Sequence, residues 1–545
     1  MAEKRYETDV LVIGGGIAGC FAAIKAREYD VNVLLIDKGY TGSSGQTPFA
    51  NTFTVFNSDW GDDLEQWMQQ INMGGDYLNN RKWTEITLKD SYPRYLDLAS
   101  YGVPFFMDKE NKPYRSGLAD LGPCLCVFPD NKVLSAILRN KAIASGAKIL
   151  DRIMVTDLIK NGEHITGAVG ITVTDAEFCV IKAKAVIICT GASGFKPTGW
   201  PISNLTSDGD VMAYRAGASI TGKEFIDTHG SDSKIPAYVG PPFLKRSLHS
   251  APPPTVYSDA TGAEYKGLSV FHLGPEYVVH SGRGPIDTEL PHGRCKLVGG
   301  ASAGMSTHKA EGIWPADYCG GTEIPGLYAA GDSLGTMLSG AAYSAIGLAL
   351  AGSAVTGAIA GVSAAEYVRE LPCAVDVAEE IILKLKKNIY APLERIGGYS
   401  PSWVIKLLQN TMIPYYTMII KHRERLSAAL TMIEFYQEHL AAGLKANDAH
   451  EIRLAIETKN MLCNAEMKLR ASLFREESRG THYREDFPER DEIDWNAWIR
   501  ICQVDGKMLL TKEPIPKGWV RTDSNKFLFE FPRFKGGLTD GDREN

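Results

Sequence analysis

The chain has 545 residues, of which 44% are hydrophobic and 23% are charged, and its formal net charge is -7. This composition is typical of a globular protein in water, and the length predicts two to four domains. The negative balance gives no support for nucleic acid or an anionic membrane surface as a partner.

The ten cysteines are scattered along the chain without any Cys-x-x-Cys pair. We therefore expect neither a zinc site nor an iron–sulfur cluster within this chain, and we predict no metal ligands. The N-terminal segment MAEKRYETDV is charged and leads at once into a strand pattern, which is unlike a signal peptide. We expect a cytoplasmic protein with reduced thiols.

A dinucleotide-binding fingerprint begins the chain. An apolar run is followed by the spacing Gly14-x-Gly16-x-x-Gly19, a helical pattern, and a second apolar strand that leads to Asp37. In such a unit the glycines allow a tight turn, an approach of a diphosphate to the backbone, and close packing of helix on strand. The helix N-terminus faces the phosphates, and the acid can bind ribose hydroxyls.

The segment after Lys38 is rich in glycine and serine. Its residues Ser43, Ser44 and Gly45 suit a loop that wraps around the rest of the dinucleotide. Further strand patterns occupy residues 147–150, 153–159, 165–173, 178–181 and 184–189.

The last of these strands ends at Thr190-Gly191, which predicts a second close approach of backbone to ligand. Residues 207–218 predict a capped helix. Residues 324–332 predict a turn and a short strand that ends at Asp332, an acid that could bind a ribityl hydroxyl. Residues 333–368 contain one charge, and we interpret them as a small-residue helix under a cofactor rather than a membrane span.

The middle and the end of the chain differ in character. Residues 224–304 are rich in proline, glycine and histidine and lose the strand–helix rhythm, so we interpret them as an inserted, mobile second domain. From residue 377 to 473 apolar residues recur with helical spacing, which predicts an antiparallel bundle. Short strands and a polar tail are expected after it.

Together these motifs resemble the flavoprotein subunit family of fumarate reductase, succinate dehydrogenase and adenylylsulfate reductase, and are most similar to the adenylylsulfate reductase branch. The resemblance rests on VLVIGGGIAG with Asp37-Lys38, ICTGA followed by SDGDVMAYRAGA, IPGLYAAGD, and ESRGTHYREDFPERD. It implies an α/β fold: a Rossmann-like FAD-binding domain with an inserted α+β capping domain and a C-terminal helical domain. We place these domains at residues 1–223 with 305–368, 224–304 and 369–545.

The sequence departs from the respiratory members of the family. They carry FAD covalently on a histidine in the loop after the second strand, whereas this chain has Gly42-Ser43-Ser44-Gly45-Gln46 there. We therefore predict non-covalent FAD. The respiratory arginine that binds a substrate carboxylate is absent, because residues 340–343 read Gly-Ala-Ala-Tyr.

The resemblance places candidates for chemistry in the histidine-rich region. His229 and His308 match substrate-site histidines of the family, Arg283 is a candidate anion clamp, and His272 is a weaker candidate. A structural role remains open for each of them. For the cofactor we assign Gly14, Gly16, Ile17, Ala18, Gly19, Asp37, Lys38, Ser43, Ser44, Gly45, Val155, Thr190, Gly191, Asp332, Ser344 and Ile346.

Two functions remain open. The first is that of an FAD-dependent oxidoreductase chain that transfers electrons between a small anionic substrate, an enoate-like carboxylate or a sulfur oxyanion, and an iron–sulfur, ferredoxin-like partner in a hetero-oligomer. The second is that of an electron-transfer flavoprotein module of a larger complex, without a small substrate of its own. Neither involves nucleic acid or a transmembrane segment of this chain.

Overall fold

The computed structural model of the chain describes residues 3–50, 52–118, 122–127, 131–196, 202–226, 256–258, 264–265, 286–290, 293–297, 309–343, 347–371, 377, 379–418 and 420–519. The strands are β1 Glu3–Ile13, β2 Val33–Asp37, β3 Phe53–Thr54, β4 Arg115–Leu118, β5 Gly122–Val127, β6 Lys148–Asp151, β7 Ile153–Asn161, β8 His164–Thr172, β9 Phe178–Ile188, β10 Ile220–Thr221, β11 Val256–Ser258, β12 Glu264–Tyr265, β13 Ile286–Leu290, β14 Gly293–Leu297, β15 Gly312–Ile313, β16 Leu327–Ala329, β17 Ile420–Lys421, β18 Tyr483–Arg484, β19 Ala497–Val504 and β20 Lys507–Pro514. The helices are α1 Ile17–Arg27, α2 Leu64–Gly74, α3 Arg81–Ser100, α4 Asn131–Ala144, α5 Asp208–Ala216, α6 Leu348–Glu370, α7 Glu379–Glu394, α8 Pro401–Met412, α9 Tyr415–Met418, α10 Arg423–Phe435 and α11 Ala449–Phe474.

A seven-stranded sheet forms the centre of the molecule, in the order β6-β2-β1-β9-β8-β7, with β16 also paired to β9. Strands β6, β2, β1, β9 and β16 run parallel, whereas β7 and β8 form an antiparallel extension. Parallel strands buried on both faces need continuous apolar runs, and β2 is buried at all five positions. The carboxyl ends of β1, β2, β9 and β16 therefore meet at one edge, where ligands bind in open α/β sheets.

Helices α1 and α6 cover one face of this sheet through glycine contacts. A Cβ atom on Gly357 would lie 2.3 Å from the carbonyl oxygen of Ala18, and one on Gly361 would lie 2.4 Å from that of Ala22. Larger side chains at these positions would push the helices apart. Among the described residues, α6 is the one helix long and apolar enough to cross a membrane, but 78% of that stretch is buried within the protein.

The remaining strands form smaller sheets. Strands β11–β14 form an antiparallel sheet in the order β12-β11-β13-β14, within the region where the sequence loses its βαβ pattern. Strand β10 pairs with β15 on one side and with β19 of the C-terminal hairpin β19–β20 on the other. Helices α8, α10 and α11 share a separate apolar core. The α/β fold class with a helical C-terminal part is confirmed.

Two local predictions were wrong. The strands expected at residues 178–181 and 184–189 form one strand, β9, because Lys182 and Lys184 are only half-buried and do not interrupt it. Ser207 was expected to cap α5, but its backbone is left-handed, with φ of 63°, and its side chain makes no capping hydrogen bond.

Candidate functional site

The three glycines of the fingerprint lie where β1 meets α1, and the fold leaves no room for side chains at two of them. Gly14, in the turn, has φ of +109°, and a Cβ atom there would lie 2.2 Å from the carbonyl oxygen of Cys189. A Cβ atom on Gly19, in the first turn of α1, would lie 1.9 Å from the carbonyl oxygen of Gly14. Gly16 has an extended backbone and directly precedes α1. The glycines thus bring the N-terminus of α1 close to the edge of the sheet.

The carboxylate of Asp37 joins this turn to the loop that follows β2. It accepts hydrogen bonds from the amides of Gly15 at 2.7 Å and Gly39 at 2.6 Å, and from the hydroxyl of Ser44 at 2.9 Å. A carboxylate has about four acceptor positions, so one remains for a ribose hydroxyl. Asp37 is buried, with 8% of its surface exposed.

The glycine- and serine-rich loop crosses the N-terminus of α1. The hydroxyl of Thr47 accepts from the amide of Ile17 at 3.1 Å, and the side-chain oxygen of Gln46 accepts from the amide of Ala192 at 3.4 Å. Gly45 has φ of +79° with open space around its Cα. Ser43 donates its amide to the carbonyl of Tyr40. The loop therefore spans the two backbone turns that the sequence assigned to the cofactor.

Lys38 takes part in an ion cluster with the C-terminal helix α11. Its ammonium group lies 2.7 Å from Asp208, 3.0 Å from Glu457 and 2.8 Å from the hydroxyl of Thr206. Burial alone would raise the pKa of Glu457, but Lys38, Lys196 and Arg453 hold it at about 2. The ammonium of Lys38 is thus held by two carboxylates, and a role of this residue toward the cofactor stays a prediction.

A cavity of about 470 Å³ opens next to this cluster, directly after Asp37. Its lining is Lys38, Gly39, Arg152, Val173, Thr174, Asn204, His450 and Arg453. A dinucleotide whose ribose binds the acid after the second strand extends its base beyond that acid. If FAD bound with its ribose on Asp37, its adenosine end would face this cavity.

The opposite wall of the site is built from the ends of β9 and β16. The hydroxyls of Thr190 and Ser333 lie 3.1 Å apart, and Ser333 donates to the carbonyl of Gly191 at 3.3 Å. A Cβ atom on Gly331 would lie 2.8 Å from the Cβ of Ala18, so this wall touches the first turn of α1. Asp332 forms an ion pair with Lys309 at 2.9 Å.

Val155 lies in β7 opposite Gly170 and belongs to the same buried apolar cluster as Ile13 and Ile36. Ser344 and Ile346 lie outside the described residues, which resume at Gly347 just before α6. The geometry therefore brings together the glycine turn, Asp37, the serine loop, Thr190-Gly191 and Asp332 around one edge of the sheet.

All four candidates for chemistry, His229, His272, Arg283 and His308, lie outside the described residues. Within the described ranges, no group of three or more His, Cys, Asp or Glu side chains could hold a metal ion.

Several buried ion pairs were not predicted from the sequence. The ammonium of Lys223 lies 2.6 Å from both Asp210 and Glu311, and Glu311 also binds Lys468. Lys309 is fully buried beside Asp332. The available signal was a lysine within a run of small or apolar residues, as in TGKEF and THKAEG. That signal does not identify the partner.

Comparisons with known proteins agree with this geometry. A family model described as "FAD binding domain" matches residues 9–230, and one described as "Fumarate reductase flavoprotein C-term" matches residues 406–520. An FAD-dependent oxidoreductase of Methanocaldococcus jannaschii is 28% identical and covers 91% of this chain and 96% of its own length. A fumarate reductase (CoM/CoB) subunit of Methanothermobacter marburgensis is 26% identical, and the match covers 93% of this chain and 99% of that subunit.

Solved structures show the same fold. Sdh1 of Mycobacterium smegmatis superposes with a TM-score of 0.80 at 23% identity, over 94% of this chain and 95% of that chain. Adenylylsulfate reductase of Archaeoglobus fulgidus superposes with a TM-score of 0.79 at 20% identity, over 96% and 98%.

The FAD-binding family model and the relatives identify the chain as an FAD-dependent oxidoreductase. Over most of its length the chain is similar to flavoprotein subunits of fumarate reductase and succinate dehydrogenase, as the motifs indicated, and it shares its fold with adenylylsulfate reductase.

Proposed function

We propose that this flavoprotein transfers electrons between a small anionic substrate and an iron–sulfur partner protein, with FAD held non-covalently. One observation carries the proposal: the chain matches nearly the whole length of relatives named as subunits of fumarate reductase and succinate dehydrogenase. FAD supplies the hydride and electron chemistry, and the protein supplies binding, orientation and a proton.

The described residues support binding of the cofactor at this edge of the sheet. The amides at the start of α1 and the helix dipole favour a diphosphate. Asp37 has one acceptor position left for a ribose hydroxyl, and Asp332 on the opposite wall is an acceptor for a ribityl hydroxyl. The loop between β2 and Thr47 contains no histidine, which supports non-covalent attachment.

The proposal for the substrate rests on residues in and next to the predicted capping domain, residues 224–304. His229 and His308 are proposed to deliver a proton, and Arg283 is proposed to bind an anionic group of the substrate, with His272 as a further candidate. Where the respiratory relatives have an arginine, this chain has Tyr343, whose hydroxyl accepts from the amide of Ala349 in α6 at 3.1 Å. A substrate with one anionic group fits this substitution better than a dicarboxylate.

The test is anaerobic reoxidation of the reduced flavoprotein. Fumarate, another enoate and adenylylsulfate are mixed with it separately, and flavin absorbance is followed. Reoxidation by one of them within the turnover time supports the proposal. Reoxidation by a ferredoxin-like protein alone would instead identify an electron-transfer module without a small substrate.

Two further measurements complete the test. His229→Ala should lower turnover by about 10²–10⁴-fold if this histidine delivers a proton. His422→Ala is a matched control, because His422 caps α10 on the surface. After acid precipitation the yellow colour should remain in the supernatant, and a yellow pellet would show that FAD is covalently bound.

A further inference from the structure

The buried ion pair between Lys309 and Asp332 lies beside the first turn of α1, where the FAD diphosphate is predicted to bind. The side chain of Lys309 has 0% exposure and that of Asp332 has 10%. The ammonium also donates to the hydroxyl of Ser353 in α6 at 2.6 Å. An ammonium buried away from water is costly unless it is paired and hydrogen-bonded, so this arrangement needs both partners.

The position of Asp332 places a negative charge beside a site for anions. Its neighbour Gly331 lies against Ala18 in the first turn of α1, and Ser333 contacts the Thr190-Gly191 turn. The N-terminus of α1 is where the diphosphate of a dinucleotide binds. Without a compensating cation, the carboxylate of Asp332 would repel that diphosphate across a short, poorly hydrated distance.

The surrounding structure holds Lys309 in a constrained conformation. Its φ is +63°, in the left-handed region that side chains other than glycine rarely adopt. The hydroxyl of Thr336 donates to its carbonyl at 3.2 Å. A Cβ atom on Gly352 would lie 3.2 Å from the Cε of Lys309, so α6 leaves room for the lysine stem only because residue 352 is glycine. Strained backbone that is held from several sides is typical of functional sites.

The charge balance of the pair depends on both members. Burial lowers the pKa of Lys309, and Asp332 opposes that shift. The other titratable group that acts on Lys309 is the thiol of Cys189, at the end of β9. Removal of the lysine would leave a buried carboxylate without its cation.

We propose that Lys309 is a positioning residue of the FAD site: it fixes the carboxylate of Asp332 for the ribityl chain and cancels its charge next to the bound diphosphate. This inference depends on FAD binding and not on the identity of the substrate or of the redox partner. The function proposed above can therefore fail while this inference holds.

The experiment measures the dissociation constants of FAD and of ADP for the full-length apoprotein. ADP carries the diphosphate but no ribityl chain, so it reports the charge effect alone. Lys309→Met should weaken the binding of both ligands by about tenfold or more, because a carboxylate then faces the diphosphate uncompensated. The double variant Lys309→Met/Asp332→Asn should bind ADP within about threefold of the wild-type protein, since the uncompensated charge is gone.

A matched control separates this charge effect from general destabilisation. Lys468 is also fully buried, and its ammonium pairs with Glu311. Lys468→Met should lower the melting temperature but leave ADP affinity unchanged. An equal loss of ADP affinity in Lys468→Met, or no recovery in the double variant, would overturn the proposal. If Lys309→Met does not fold, the Asp332→Asn variant alone tests the proposal. This variant should bind ADP at least as tightly as the wild-type protein, and weaker binding would overturn the proposal.

Discussion

The FAD edge of the sheet and the C-terminal motif at residues 475–491 are held together by different physical means. At the sheet edge, backbone atoms approach one another closely, and glycines such as Gly14 and Gly19 make this possible. In the C-terminal motif, the side chains of Arg475, Glu477 and Arg479 are all fully buried and form a chain of ion pairs. One region depends on the absence of side chains and the other on the pairing of charges.

This difference predicts different responses to substitution. A close backbone contact tolerates no added atom but is indifferent to charge. A buried ion pair tolerates small changes of shape, but the removal of one partner leaves an uncompensated charge. Paired substitutions in the two regions therefore test this contrast.

Glu477→Gln should give the largest effect. One carboxylate oxygen of Glu477 accepts from Arg475 at 2.7 Å and from Arg479 at 2.8 Å, and the other accepts from Arg479 at 3.0 Å. The neutral amide leaves two buried guanidinium groups short of a counter-charge, so we expect a loss of about 3–5 kcal/mol in the free energy of unfolding. Urea denaturation of the flavoprotein measures it.

The adjacent residue provides the control. Glu476 pairs with Arg423 at 2.6 Å, but both side chains are about half exposed, at 47% and 58%. Glu476→Gln should cost less than about 1 kcal/mol, because exposed ion pairs contribute little. Similar losses in the two variants would contradict the claim that burial of charge stabilises this motif.

Gly14→Ala tests the other side of the comparison. The added methyl would lie 2.2 Å from the carbonyl oxygen of Cys189, and φ is +109°. We expect the free energy of unfolding to fall by about 3 kcal/mol, because the turn must open to relieve the contact. We also expect a large drop in the FAD content of the purified protein, measured by flavin absorbance.

Gly102→Ala is its matched control. Gly102 also has a positive φ, of +92°, but has nothing within 4 Å of the added atom, and it is not assigned to the cofactor site. This variant should lose only about 1 kcal/mol in the free energy of unfolding and keep its FAD. If Gly14→Ala bound FAD as well as Gly102→Ala, the steric account of the turn would be wrong.

The same contrast between local backbone contacts and distant charge pairs explains which parts of the structure could be predicted from the sequence. The glycine turn, Asp37 and the strand order near them follow from spacing within about 30 residues, and local geometry determines them. The partner of Lys38 is Glu457, which is 419 residues away, and no local pattern indicates it. The prediction divided strand β9 at residues 182–183, whereas the strand continues through them, and the ammonium of Lys184 reaches Asp9 on the neighbouring strand at 2.7 Å.

The cluster around Glu457 joins helix α11 to the FAD edge through Lys38 and predicts a pH dependence. The pKa of Glu457 is lowered from 4.5 to about 2, because Lys38, Lys196 and Arg453 outweigh the effect of burial. A folded-state pKa below the unfolded value adds stability above pH 4.5, and this stability is lost as the pH falls toward 2. This contribution to the free energy of unfolding is roughly 3 kcal/mol.

Denaturation of the wild-type protein and of Glu457→Gln between pH 7 and about pH 3 measures this contribution. The difference in unfolding free energy should shrink as the pH falls, because the wild-type carboxylate then loses its advantage. Glu434→Gln is the control, since Glu434 pairs with Arg470 at 2.7 Å while 40% exposed. A difference that stays constant with pH would show that the charge of Glu457 does not stabilise the cluster.

The smallest effect is expected at the start of α11, the helix that contacts the FAD edge through Glu457 and the C-terminal motif through the carbonyl of Ser472, which accepts from Arg484. The carboxylate of Asp448 accepts from the amide of Glu451 at 2.9 Å and caps this helix. Asp448→Ala should lower the free energy of unfolding by about 1 kcal/mol. Asp448→Asn keeps an acceptor oxygen and should lower it by only about a few tenths of a kcal/mol. Because the cap lies on the surface and not in either region, both variants should retain full FAD content. Loss of FAD in Asp448→Ala alone would show that the first turn of α11, which lines the cavity through His450 and Arg453, takes part in holding the adenosine end.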